Sequence, residues 1–168
     1  MNRDKQAGFN LVELLAVTTV LILFVSLALP SFQKLSQNNR DEALRNLLIS
    51  QINQTRANSI IFNKHHILCG SSDGETCDHA WQTGWLIREK DSRKIIHIER
   101  LNAQPRLTWR GLSKQIRFLP SGHSNASNGT FTLCDDNAQV VWQVKLSRQG
   151  RARTVKAETA QNAACSHS

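Results

Sequence analysis

The sequence predicts an α+β chain. A long N-terminal helix, its first half membrane-spanning, packs on a C-terminal antiparallel β domain of two sheets stapled by disulfides. Three observations carry that prediction. Between Phe9 and Cys69 there is no glycine, and Pro30 is the single proline, so one long helix can run almost unbroken. From Gly70 onward the chain holds seven of its eight glycines and two of its three prolines, and these punctuate a series of short strand-like runs. The four cysteines all lie from Cys69 onward. The expected boundaries are a leader over 1–8, a helix over 9–64 with 9–29 in the membrane, and a globular β domain over 65–168.

The first element is the apolar run from Phe9 to Leu29, whose only formal charge is Glu13. A helix needs about 20 mostly apolar residues to cross a bilayer, and this run has that length. Its flank, Met1 to Gly8, is short and polar, with Arg3 and Lys5 against Asp4. A secretory signal places its small-residue cleavage site after the apolar run. Here the small residue, Gly8, precedes it, so cleavage there leaves the helix on the mature protein. A carboxylate inside a membrane helix costs about 2.5–3.5 kcal/mol on insertion scales and therefore calls for a partner. With Phe9 as the new N-terminus, Glu13 lies one helical turn from an α-amino group, its own or that of a neighbouring subunit. The alternative is a plain signal anchor with a tolerated acid.

In the basic leader, the Gly8/Phe9 junction, Glu13, the apolar helix and Pro30, the chain resembles the type IV pilin and pseudopilin superfamily. The resemblance implies cleavage after Gly8 by a prepilin peptidase, which also methylates the amine of Phe9. It implies a single-pass anchor in the inner membrane with a periplasmic C-terminal domain. The same helix then packs, with Glu13, into the core of a surface filament beside other pilins and minor pilins.

Pro30 lacks an N–H and clashes with the preceding turn, which predicts a kink. Beyond it Leu44, Leu47, Leu48, Ile52 and Thr55 recur at helical spacing, while Arg40, Asp41, Arg45, Asn46 and Gln54 fall largely on other faces. This is an amphipathic half-helix that lies on a sheet. Gly70-Ser71-Ser72-Asp73-Gly74 is turn chemistry. Strands are expected over Trp85 to Arg88, Lys94 to Leu101, Arg106 to Trp109, Gln115 to Leu119, Thr130 to Cys134 and Val140 to Ser147. In the last of these Val140, Trp142, Val144 and Leu146 alternate with Val141, Gln143, Lys145 and Ser147, the pattern of a half-buried strand. Residues 120–129, rich in serine, glycine and asparagine, read as an exposed loop. There is no internal repeat.

Cys69, Cys77, Cys134 and Cys165 follow an export signal, and none forms a CxxC pair, so they read as two disulfides and not as a metal site. Three pairings are possible. Cys69–Cys77 and Cys134–Cys165 are preferred, because the first brackets the 70–74 turn and the second ties down the tail. The six histidines have no partner at ligand spacing, and no nucleophile, paired-carboxylate, phosphate-loop or zinc-protease signature is present. The sequence points to no enzyme, cofactor or metal.

The net charge of +8 suits an acidic partner such as nucleic acid or an anionic surface polymer. The densest basic stretch without an acid runs from Lys145 to Lys156 and contains Arg148, Arg151 and Arg153. Gly150 supplies the backbone freedom for a strand–turn–strand tip. In an extended segment Arg151 and Arg153 share a face roughly 6.6 Å apart, close to the phosphate spacing along one DNA strand. Guanidinium forks grip phosphate bidentately, which favours arginine there. The plain alternative is a solvated hairpin. A second basic set, Arg106, Arg110, Lys114 and Arg117, interleaves with Trp109 and Phe118. It either widens the same track or forms a rim around two core aromatics.

The segments Leu68-Cys69-Gly70-Ser71-Ser72-Asp73-Gly74, the tryptophans around Gly84, Phe118-Leu119-Pro120-Ser121-Gly122 and Leu133-Cys134-Asp135 resemble the GspH/FimT group of minor pilins. FimT-type members in some naturally competent bacteria bind DNA through a Gly-Arg-x-Arg motif near the C-terminus. Gly150-Arg151-Ala152-Arg153 matches that motif. The resemblance implies non-specific capture of extracellular double-stranded DNA during natural transformation. Arg151 and Arg153 would hold phosphates, Gly150 would shape the loop, and Lys145, Arg148 and Lys156 would extend the patch. The alternatives are a structural or assembly-priming minor pilin or type II secretion pseudopilin, and an adhesin for anionic glycans.

Overall fold

The computed structural model describes residues 11–124, 126–155 and 165 of the 168-residue chain. The cleavage and methylation positions Gly8 and Phe9, and the outlying base Lys156, lie outside the described residues. Helix α1 spans Leu11–Ile61 and continues through Pro30. Its C-terminus is closed by Asn63 in a left-handed conformation (φ 51°), with the Asn63 N–H donating to the Ile60 carbonyl and the Lys64 N–H to the Ser59 carbonyl. That pair of bonds is a Schellman cap, with asparagine in the place glycine usually takes.

The compact β unit begins at Leu44, inside the helix and not after it. The reason is the stripe. Leu48, Ile52, Thr55 and Ser59 are wholly buried, and Leu48 and Ile52 belong to the main core. The upstream part, residues 11–43, forms a separate unit in which Leu11, Leu15, Leu21, Phe24, Phe32 and Leu35 are exposed. It is long and apolar enough to cross a membrane, with a mean hydropathy of 2.5 in its best window. Glu13 sits in its first turn.

Eight strands follow: β1 His66–Gly70, β2 Gly84–Glu89, β3 Ile95–Arg100, β4 Arg106–Gly111, β5 Ile116–Phe118, β6 Gly129–Cys134, β7 Val140–Leu146 and β8 Ala152–Val155. They form two four-stranded sheets, one in the order β3-β2-β1-β5 and the other in the order β4-β6-β7-β8, with antiparallel pairs throughout. The first sheet presents Leu68, Trp85, Ile87, Ile116 and Phe118 to the core, and the second presents Leu107, Phe131, Leu133, Trp142, Val144 and Leu146. Leu48 and Ile52 of the helix join the same cluster.

Six of these strands coincide with the sequence-predicted runs to within a residue or two. β1 is an addition. All five of its residues are buried, so it shows no alternation to read. One face meets the main core, and the other, Ile67 and Cys69, packs with Leu86 and Cys77 in a small second cluster. Cys69 is bonded to Cys77 and Cys134 to Cys165.

The 120–129 segment corrects the expectation of an exposed loop. Gly122, Ser124 and Ser127 are buried, because their polar groups have internal partners. The Ser127 hydroxyl accepts from the Arg117 N–H at 3.2 Å. Ser124 is wholly buried and bonds twice to the β7–β8 connection.

Candidate nucleic-acid interface

The β7–β8 connection is a tight hairpin whose geometry explains its glycine. The Gly150 N–H donates to the Ser147 carbonyl at 2.9 Å, and the Ser147 N–H donates to the Arg151 carbonyl at 3.0 Å. This pair of bonds encloses Arg148, Gln149 and Gly150, the three-residue hairpin loop that wants a left-handed residue at its last position. Gly150 has φ +75°, and a Cβ built there would lie 2.4 Å from the Gly122 carbonyl oxygen. Both the dihedral and the space exclude a side chain. The flanking arginines are thereby turned outward: Arg148, Arg151 and Arg153 are exposed while Gly150 is buried between them.

The hairpin rests on a built support. The Ser124 N–H donates to the Arg148 carbonyl at 3.0 Å, and the Ser124 hydroxyl donates to the Ser147 carbonyl at 2.8 Å. From the helix, Arg56 Nε donates to the Gly122 carbonyl at 2.9 Å, the same oxygen that crowds Gly150. The last described turns of α1 thus hold the 119–124 loop, and that loop holds the hairpin. Sequence reasoning missed Arg56, Ser124 and Ser147 as positioning residues. For Arg56 a signal existed: it stands four residues beyond Ile52, on the flank of the buried stripe.

Strand register decides where the remaining bases go. Lys145 lies directly opposite Arg153 across β7 and β8. On its other side Lys145 faces Thr130 of β6, and Thr130 faces Arg110 of β4. Residues paired across neighbouring strands share a face, so Arg110, Thr130, Lys145 and Arg153 form one row on the outer surface of the second sheet. Val144 and Leu146, on either side of Lys145, point inward and are buried.

The second basic set is thereby divided. Arg110 stands in the row. Arg106 shares the face at the far end of β4, opposite Cys134, and donates to the Asp135 carbonyl at 3.2 Å. Arg117 belongs to β5 of the other sheet, where it pairs with Ile67. Lys114 lies in the β4–β5 connection, beside a cavity of about 310 Å³ lined by Trp81 and Trp109. Phe118 is wholly buried. Trp109 is half-buried, with its ring 4.5 Å from that of Phe131. Phe118 is a core residue, and Trp109 packs against the core while lining that cavity.

Among the described residues, Arg110, Lys145, Arg151 and Arg153 have no ion-pair partner. The carboxylates with shifted titration lie elsewhere. Asp73 accepts from the backbone N–H groups of Thr76 at 2.8 Å and Glu75 at 2.7 Å, and from the hydroxyls of Thr76 and Ser71. These bonds, the Thr76 N–H foremost, hold its carboxyl well below the usual carboxylate range. Asp78 is lowered chiefly by the Ser72 hydroxyl, and Glu89 chiefly by its contact with Lys64 at 2.7 Å. Among the described residues no cluster of histidine, cysteine, aspartate or glutamate is grouped to hold a metal.

The arrangement presents a row of cations, complementary in charge to a polyanion. The family model of the type II transport protein GspH matches residues 44–150. The chain belongs to the GspH family. This GspH-family chain is a pilin-like protein of the pseudopilin and minor pilin kind, a filament protein that associates with other pilins. Its fold is that of the type IV minor pilin FimU from Pseudomonas aeruginosa. One crystal form matches with a TM-score of 0.57 at 14% identity, over 75% of this chain and 96% of that one. A second crystal form matches with a TM-score of 0.51 at 16% identity, over 71% and 96%. No curated protein matches the GspH-family chain by sequence. The family match ends at Gly150, so Arg151 and Arg153 lie just beyond it.

Proposed function

We propose that this minor pilin binds extracellular double-stranded DNA through its phosphates, by the β7–β8 hairpin, in support of DNA uptake during natural transformation. The observation that carries the reading is the pairing of a buried, left-handed Gly150 with exposed Arg151 and Arg153, which have no ion-pair partner among the described residues, on a hairpin braced from below. A hairpin that serves only solubility has no need of such bracing. Phosphate binding of this kind reads no sequence and weakens steeply with salt, because it is driven by counterion release. Individual contacts are weak, and several copies along a filament, or other pilins, add avidity. Lys145, Arg148 and Lys156 extend the patch. The remaining assignments complete the scheme: cleavage after Gly8 and methylation of Phe9 by a prepilin peptidase, insertion of the apolar helix in the inner membrane with the β domain periplasmic, and pairing of Glu13 with a filament amine.

A second reading, a structural or assembly-priming pseudopilin without DNA binding, is favoured by the match to the type II transport protein GspH itself. The experiment that separates them is fluorescence anisotropy of labelled duplex DNA with the full-length chain in neutral detergent. Wild type is compared with Arg151→Ala/Arg153→Ala at low and moderate salt. Binding by wild type that is lost in a folded double variant supports DNA capture. Equal binding by both moves the site elsewhere. No binding by wild type at low salt leaves the structural reading.

A further inference from the structure

The row across the second sheet extends well beyond the hairpin. We propose that Arg110, with Lys145 and Arg153, forms a cross-strand ladder that carries the DNA backbone from the hairpin over the outer face of the β4-β6-β7-β8 sheet. This rests on the DNA-binding reading above and adds to it a residue, a direction and a length.

The argument starts from register. Arg110, Thr130, Lys145 and Arg153 occupy successive strands at one level. With strands spaced about 4.8 Å apart, the Cα atoms of Arg110 and Arg153 stand about 14 Å apart across the sheet. Arg151 lies two residues before Arg153, toward the hairpin, so the basic surface turns a corner there. It runs along β8 and then across β7 and β6 to β4. The gap between Arg110 and Lys145 is filled by Thr130, whose hydroxyl is a phosphate ligand in its own right. The neighbouring row, Thr108, Thr132, Gln143 and Val155, is uncharged.

Electrostatics gives the second argument. Like charges directly opposite on adjacent strands repel and weaken a sheet. Lys145 faces Arg153 with no acid beside either one in the row, and among the described residues neither has an ion-pair partner. A sheet built only for stability would alternate signs there. A row of bases separated by a hydroxyl is complementary to a chain of phosphates. The same geometry excludes Arg117, which belongs to the opposite sheet, on β5.

The test uses the full-length chain in neutral detergent and labelled duplex DNA, with affinity measured from 50 to 200 mM salt. Threonine suits a strand, so Arg110→Thr keeps β4 intact; Arg110→Lys keeps the charge, and Arg117→Ala controls for net charge. Each phosphate contact contributes about 0.9 to the slope of log affinity against log salt, or about threefold over that salt range. Arg110→Thr is expected to lower the slope by about 0.9 and to weaken binding at 50 mM salt, with Arg110→Lys restoring both and Arg117→Ala changing the slope far less. If Arg110→Thr keeps the wild-type slope while Arg151→Ala/Arg153→Ala loses binding, the ladder is refuted and the hairpin stands. If Arg117→Ala lowers the slope as much as Arg110→Thr, the effect is one of net charge and the ladder is refuted. If a sulfated glycan of equal charge displaces the DNA and binds more tightly, DNA is the wrong occupant. If wild type does not bind DNA, the ladder falls together with the reading it rests on.

Discussion

Gly150 shows most directly how one residue sets the chemistry of its neighbours. Its backbone sits at φ +75° against the Gly122 carbonyl, so an alanine there meets both a disfavoured dihedral and a clash. Gly150→Ala is expected to cost on the order of 1–3 kcal/mol of stability, read as a lowered denaturation midpoint. Gln149→Ala, at the exposed tip of the same loop, is expected to stay within about 0.5 kcal/mol of wild type. The glycine was legible in the sequence as a turn residue. Its burial was not, because burial depends on the Gly122 carbonyl, and that oxygen is held in place by Arg56 from the helix. Only folding brings residues 56, 122 and 150 together.

At the scale of the element, the 70–79 connection is organised by a carboxylate. Asp73 gathers two backbone N–H groups and two hydroxyls, and Asp78 takes bonds from the Ser72 N–H and hydroxyl and from the Ala80 N–H. The folded-state pKa of Asp73 is depressed, so its contribution is fully present above the unfolded value of about 3.9 and is lost as pH falls through the folded value. The expected outcome is a stability gap between wild type and Asp73→Asn that is constant around neutral pH and narrows only below about pH 4. Chemical denaturation midpoints across the pH range measure it. Among the strands, β7 was legible because one face is buried and the other wet, which leaves a period of two. β1 was not, because it lies beneath both the core and the Cys69–Cys77 connection and is apolar on both sides. The 120–129 segment misled for the opposite reason. Its serines and glycine are the composition of a solvated loop, and here they satisfy buried backbone groups.

At the scale of the whole molecule, two disulfides close loops of very different length. Cys69–Cys77 spans 8 residues and Cys134–Cys165 spans 31. In the chain-entropy model these correspond to roughly 2.5 and 3.7 kcal/mol of stabilisation. Cys134→Ser/Cys165→Ser is therefore expected to be destabilised by more than Cys69→Ser/Cys77→Ser on entropy alone. The Cys69–Cys77 pair, however, is packed against buried Ile67 and Leu86, which adds a packing loss to its removal. If thermal unfolding places the 69/77 variant lower, packing outweighs loop entropy in this domain. The bond at Cys134 also sits at the end of the second sheet where Arg106 faces it, so Cys165 is tied at the far end of the face from the basic row.

Read alone, the chain settles what local composition and periodicity can carry. These are the apolar first half of the helix, the buried stripe that follows, the glycine-punctuated β region and the acid-free arginine tip, each encoded within a few consecutive residues. The tertiary structure decided what depends on distant parts of the chain. It seated the hairpin on Ser124 and Arg56. It separated Arg110 from Arg117, which lie seven residues apart in the chain and on different sheets in the fold. It also brought Arg110 level with Lys145 and Arg153. Strand register is a non-local quantity: a shift of one residue in β6 would turn Thr130 inward and break the row, and no single strand's sequence records which level its neighbour will meet.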